Sequence, residues 1–150
     1  MTRKIFAAIL AVMLIAGSAF AVEIKAGNFT LKAPDSFVNG EVTEKDKAEG
    51  LTAYYKSAET SLDFDVYEIE KEETLEECAK TYAGVNAAVE YTEINGVKAA
   101  VYRSTDESEG QEYNTLNYIL DDEKEFVFIV FWLDGEVEAE AEAIINSLSK

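Results

Sequence analysis

Glu125-Phe126-Val127-Phe128-Ile129-Val130-Phe131-Trp132-Leu133 is the stretch whose reading decides the fold. It is β-branched and aromatic, which suits a pleated strand. A buried helix is the competing reading of so apolar a run. The short length and the polar flanks, Asp121-Asp122-Glu123-Lys124 before and Asp134-Gly135 after, favour a strand. Strand side chains alternate, so Val127, Ile129, Phe131 and Leu133 point one way and Phe126, Phe128, Val130 and Trp132 the other. A sheet with one face in water would show a polar residue at every second position. Both faces of this strand are apolar and both need covering.

The neighbouring segments supply the cover and the partners. Gln111 to Leu120 reads as the preceding strand, joined through the acidic turn Asp121 to Lys124. After the central strand, Asp134 reads as a helix cap, with Val137, Ala141, Ile144, Ile145 and Leu148 on one helical face. Glu136, Glu138, Glu140 and Glu142 crowd its first turns, where the helix dipole favours negative charge. Further upstream, Tyr91 to Ile94 and Val97 to Ser104 form two strands joined by Asn95-Gly96, a strong hairpin signal. Thr105 to Gly110 reads as a polar, acidic loop. Thr74-Leu75-Glu76-Glu77 is a capping-box signature, and Leu75, Cys78, Ala79 and Tyr82 then make an apolar stripe that ends near Gly84. Leu51 to Ser57 and the strand with Leu62, Phe64 and Val66 form an earlier hairpin, with Asp63, Asp65 and Tyr67 on the opposite face. Asn28 to Ala33 is a first strand, followed by the turn at Pro34-Asp35. Gly40 to Gly50 is charged and reads as a loop or a short edge strand. Hairpins dominate, and no repeat or long linker interrupts them. The expectation is a single α+β domain over residues 22–150, a mainly antiparallel sheet with helices on both faces, in three layers.

At the N-terminus, Arg3 and Lys4 precede the uncharged apolar run Ile5 to Ala16, then Gly17-Ser18 and Ala19-Phe20-Ala21. This order is that of a secretory signal peptide over residues 1–21, cut after Ala21. The apolar run is short for a membrane anchor, which needs roughly 20 residues. The expected location is extracellular or in the cell envelope, with no stable membrane insertion after cleavage. The chain has a net charge of -17, and removing Arg3 and Lys4 leaves -19 on the remainder. Such a charge opposes nucleic acid and anionic lipid, whose recognition needs Lys and Arg. Cys78 is the only cysteine, so no disulfide can form within the chain, and histidine is absent. The usual catalytic triads and the commonest zinc ligand are therefore missing. No cofactor is implied.

The chain resembles the PsbP-like group, a superfamily shared with the small-GTPase-binding Mog proteins and including small exported bacterial proteins. The resemblance rests on Phe29-Thr30-Leu31-Lys32-Ala33-Pro34 followed by Phe37, on Leu62-Asp63-Phe64-Asp65-Val66, on Thr74-Leu75-Glu76-Glu77, on Asn95-Gly96, and on Ala143-Ile144-Ile145-Asn146-Ser147-Leu148. Where the family often has a Trp after the Pro-containing turn, this chain has Phe37. The resemblance implies an antiparallel sheet between helices, and binding or assembly rather than catalysis. It does not carry over a photosystem or GTPase partner, because no residue here identifies either.

Several residues are candidates for function. Asp63 and Asp65, two apart on one strand face with Glu68 and Glu70 nearby, offer oxygens to a divalent cation. An EF-hand loop starting there fails, because Glu68 stands where Gly is needed and Thr74 where a bidentate Glu is needed. Asp106, Glu107, Glu109 and Glu112 form an acidic run that is more simply solvated. Tyr54, Tyr67, Tyr102 and Tyr118 are candidates for a ligand or partner surface. Arg103, the only Arg after residue 3, either clamps a ligand carboxylate or, the simpler reading, pairs with one of the many acids. Cys78 lacks a base and lies on the helix stripe, so it reads as core. The favoured class is a non-catalytic binding or assembly module with a protein or small-molecule partner. The alternatives are a divalent-cation-binding protein and a carboxylate-dependent hydrolase using Asp63 and Asp65.

Overall fold

The computed structural model describes residues 22–150, so the signal-peptide reading concerns residues outside it. In chain order the elements are β1 (Val22–Ala26), β2 (Phe29–Ala33), β3 (Phe37–Asn39), α1 (Glu44–Ala48), β4 (Leu51–Ser57) and β5 (Asp63–Glu70). There follow α2 (Leu75–Ala83), β6 (Val89–Ile94), β7 (Val97–Ser108), β8 (Gln111–Asp121), β9 (Glu125–Leu133) and α3 (Glu138–Ile145). The apolar run is the strand β9, and it lies in the middle of a seven-stranded antiparallel sheet ordered β3-β4-β5-β9-β8-β7-β6. β1 and β2 form a separate hairpin.

The two faces of β9 enter different clusters. Val127, Ile129 and Phe131 pack with Ile24, Phe29, Leu31, Ile144, Ile145 and Leu148, so the β1–β2 hairpin and α3 share the cover of that face. Ser147 Oγ ties the hairpin to the end of α3, accepting from the Lys32 backbone N–H at 2.7 Å. On the other face Phe126 and Phe128 pack with Leu75, Cys78 and Ala79 of α2 and with Ala100, Tyr102 and Ile119. The sheet is mainly antiparallel as expected, but its layers are uneven. A β-hairpin and a two-turn helix cover one side. A single helix covers part of the other, and Val130 and Trp132 are left only half-buried.

Four local expectations are corrected. Thr105 to Gly110 is no loop: β7 runs to Ser108 and turns through Glu109 and Gly110 onto β8. Both turn residues have positive φ (54° and 78°), the geometry of a tight hairpin, but Glu is a poor sequence sign of it. The Gly40–Gly50 segment contains α1, capped by Thr43 with Asp46 completing the capping box. Asp at that position is a weaker signal than the usual Glu or Gln. Helix α3 starts after Val137, with no side-chain cap, rather than at Asp134. Val22 to Ala26, which carried no assigned strand, pairs with β2 because Ile24 and Ala26 face the main core.

Candidate functional site

The half-covered face is where chemistry gathers, and the pairing register puts it there. β5 places Asp65 opposite Val130 and Asp63 opposite Trp132, and β8 places Asn117 opposite Val130 and Thr115 opposite Trp132. β4 brings Tyr54 opposite Asp65, and β7 brings Tyr102 opposite Asn117. Side chains directly opposite in a sheet share a face. Asp65, Val130, Asn117 and Tyr102 therefore form one row across four strands, and Asp63, Trp132 and Thr115 the next.

Where α2 stops, this face opens into a groove of about 320 Å³. Its floor is Phe128, Val130, Asn117 and Thr115, and Tyr67, Tyr102 and Trp132 line it. Glu49, the C-cap of α1, and Tyr82, in the last turn of α2, stand at its rim. Tyr82 is held edge-on to Phe128, with ring centroids 4.7 Å apart. A second hollow of about 470 Å³, lined by Tyr54, Lys56, Asp63, Tyr113 and Asp134, adjoins the first and shares Asp65 and Trp132 with it.

Asp65 is the central group. It is 9% exposed, and its Oδ2 accepts from Trp132 Nε1 at 2.8 Å. Its other oxygen has no protein partner among the described residues. Burial, more than any other cause, raises its pKa to about 6; the Trp132 hydrogen bond opposes this, and Asp63, Asp46 and Asp106 add to it. Burial also raises the Asp63 pKa, opposed by the Tyr54 hydroxyl, which donates to Asp63 Oδ2 at 3.2 Å, and by Lys56. Desolvation pushes Tyr54, Tyr67 and Tyr102 up to about 12, so all three stay neutral hydroxyls. Asn117 donates to the Tyr102 carbonyl at 3.3 Å and to Thr115 Oγ1 at 3.0 Å, leaving its amide oxygen as a second acceptor without a protein donor. Trp132 is held in place from the side by the edge-on ring of Tyr113, 6.0 Å away.

The sequence candidates thus divide. Tyr54, Asp63, Asp65, Tyr67 and Tyr102 meet on this face. Tyr118 and Arg103 lie on the opposite side: Tyr118 packs edge-on to Phe131, and Arg103 forms an ion pair with Glu138 at the start of α3. They border a broader hollow of about 800 Å³ between β6 and α3. Its charged groups, Glu90, Glu93, Arg103 and Glu142, are all exposed, and no buried polar group converges there as Asp65 and Asn117 do. Sequence reasoning passed over Trp132, Asn117 and Thr115 as site residues. The available signal was Asn117 and Thr115 inside a strand next to a doubly apolar partner. Cys78 is 1% exposed under α2, with its thiol pushed up to about 12, chiefly by burial. Among the described residues, no group of three or more His, Cys, Asp or Glu side chains is placed to hold a metal ion.

No family model and no curated protein matches the chain. Solved structures do. The solution structure of cyanobacterial PsbP (CyanoP) from Synechocystis sp. PCC 6803 superposes with a TM-score of 0.64 at 8% identity, over 89% of this chain and 95% of that one. The fold is PsbP-like. A crystal structure of a Bacteroides thetaiotaomicron VPI-5482 protein superposes with a TM-score of 0.61 at 16% identity, over 81% of this chain. This chain spans 44% of that longer protein. At such identities the PsbP-like likeness concerns the fold, and the residues of the groove are argued on their own chemistry.

Proposed function

We propose that this PsbP-like chain is an exported, non-catalytic binding module that holds its ligand in the groove between α2 and the end of α1. The observation that carries the reading is the convergence of a buried carboxylate, a buried amide and aromatic rings on a part of the sheet beyond the end of α2. Sites for small molecules are concave and largely apolar, with few polar groups fixing the ligand. Export rests on the basic, apolar and small-residue order of residues 1–21. Cleavage after Ala21 would leave Val22 to Ala26, the described residues of β1, in the mature chain. No helix among the described residues is long and apolar enough to cross a membrane.

A carboxylate-dependent hydrolase is the second reading, because a carboxyl with a pKa of about 6 suits a general acid near neutral pH. Against it, the two carboxyls stand two apart on one strand rather than on separate elements, and Tyr54 already donates to Asp63. Native mass spectrometry of protein recovered from its own secreted fraction tests the binding reading. The expected result is a retained small molecule that disappears in Trp132→Ala. A ligand retained equally by that variant would place binding elsewhere and overturn the reading.

A further inference from the structure

We propose that the groove takes a small organic cation with N–H donors, an amine or guanidinium on an apolar stem, with Asp65 and Asn117 accepting its hydrogen bonds and Tyr67, Tyr102 and Trp132 enclosing the stem. The assignment rests on the binding reading above and names the ligand class. It starts from a surplus of acceptors. Asp65 and Asn117 flank Val130 in register, one on each neighbouring strand. Each is at least nine-tenths buried, and each has one oxygen that no protein group donates to among the described residues. Neither oxygen is sealed inside the protein; both residues line the groove, where a ligand bearing N–H groups would pair them.

Charge points the same way. Glu49, Asp65 and Asp106 line the 320 Å³ groove, and no Lys or Arg does. The nearest base in the adjoining hollow, Lys56, stands opposite Asp63 in the register. An anionic ligand would therefore enter against three carboxylates with no counter-charge. Most of the remaining lining is aromatic and aliphatic, from Tyr67, Tyr82, Tyr102, Phe128, Val130 and Trp132. Aromatic faces attract cations and cover apolar stems alike. The combination distinguishes the groove from the rest of the acidic run, Glu107 to Glu112, where the acids are exposed and no buried polar group stands among them. A requirement for N–H groups follows from the two acceptors: a quaternary ammonium would satisfy the charge and the rings but neither oxygen.

Trp132 is the only tryptophan, so its emission reports this site alone. The test titrates the mature protein with agmatine and with n-butylammonium at near-physiological salt, where diffuse attraction is screened over about 8 Å. The controls are n-butanol, which lacks the charge, and tetramethylammonium, which lacks the N–H. The expected result is a saturable emission change with the first two and little with either control. Asp65→Asn should weaken agmatine binding roughly 10- to 100-fold, as loss of a charged hydrogen-bond partner does. Glu76→Gln, which removes an equal charge from an exposed site on α2, should leave it nearly unchanged. An equal loss in both variants would mean a diffuse field and would overturn the assignment. So would equal responses to agmatine and n-butanol. A neutral or anionic molecule found in the groove by mass spectrometry, with agmatine inactive, would overturn the cation assignment and leave the binding reading standing. Binding of agmatine by Trp132→Ala at full strength, read by calorimetry because that variant has no tryptophan, would overturn both.

Discussion

Replacing Asp65 with Asn should make the protein more stable at neutral pH and less able to bind. The carboxyl is 9% exposed and its pKa is raised from 3.8 to about 6. A raised carboxyl pKa means that the folded chain binds the proton more tightly than the unfolded chain does. Between about pH 4 and 6 the folded state therefore carries more protons, and stability falls as pH rises through that window. Above it the penalty is constant. Roughly two pH units at about 1.4 kcal/mol each put the penalty near 3 kcal/mol. Asn carries no charge and retains an oxygen for the Trp132 N–H, so the packing should survive. The expected gain in unfolding free energy is about 1–3 kcal/mol at pH 8, shrinking to near zero at pH 4. Urea denaturation at a series of pH values, followed by far-UV circular dichroism, measures the difference between variant and parent. That difference removes the contribution of the other acids, including Asp63, Glu125 and Glu140, whose pKa values burial also raises. A difference that is flat with pH, or a variant less stable than the parent at pH 8, would refute the reasoning. A confirmed gain would mean that the chain keeps a destabilising buried charge, the pattern expected where a site needs it.

Three further outcomes are expected. Ile129→Ala and Phe128→Ala, on opposite faces of β9 and both buried, should each destabilise by roughly 2–5 kcal/mol in denaturant melts, and losses under about 1 kcal/mol in both would contradict the central position of that strand. Cys78 should label slowly with a thiol reagent in the native protein and quickly in urea, because the thiol is covered by α2 and its pKa is pushed up to about 12; fast native labelling would mean that α2 detaches readily. N-terminal sequencing of the exported protein should begin at Val22, and an intact Met1 on secreted material would refute the cleaved signal peptide.

What the sequence determined by itself was local. The doubly apolar run Phe126 to Leu133, the capping box at Thr74 and the Asn95-Gly96 turn each act over a few residues, through side-chain alternation, helix-end hydrogen bonds and positive φ. Those signals are enough to specify β9, α2 and the β6–β7 hairpin, and to place Asp63, Asp65 and Tyr67 on one face of β5. Where the local signal is degenerate, sequence reading failed: Glu109 at a positive φ, Asp46 in place of Glu in a capping box, and Val137 starting a helix without a side-chain cap. The site itself was decided only by the tertiary structure. β5 pairs with β9 across more than 50 residues of chain, and no hairpin signal encodes that contact. Asp65, Trp132 and Asn117 lie far apart in sequence, and they meet because burial of Val127, Ile129 and Phe131 against α3 and the β1–β2 hairpin fixes which way β9 faces. The length of α2 then decides the rest. With nine residues it covers Phe126 and Phe128 and stops short of Val130, and the part of the sheet beyond its end is the groove.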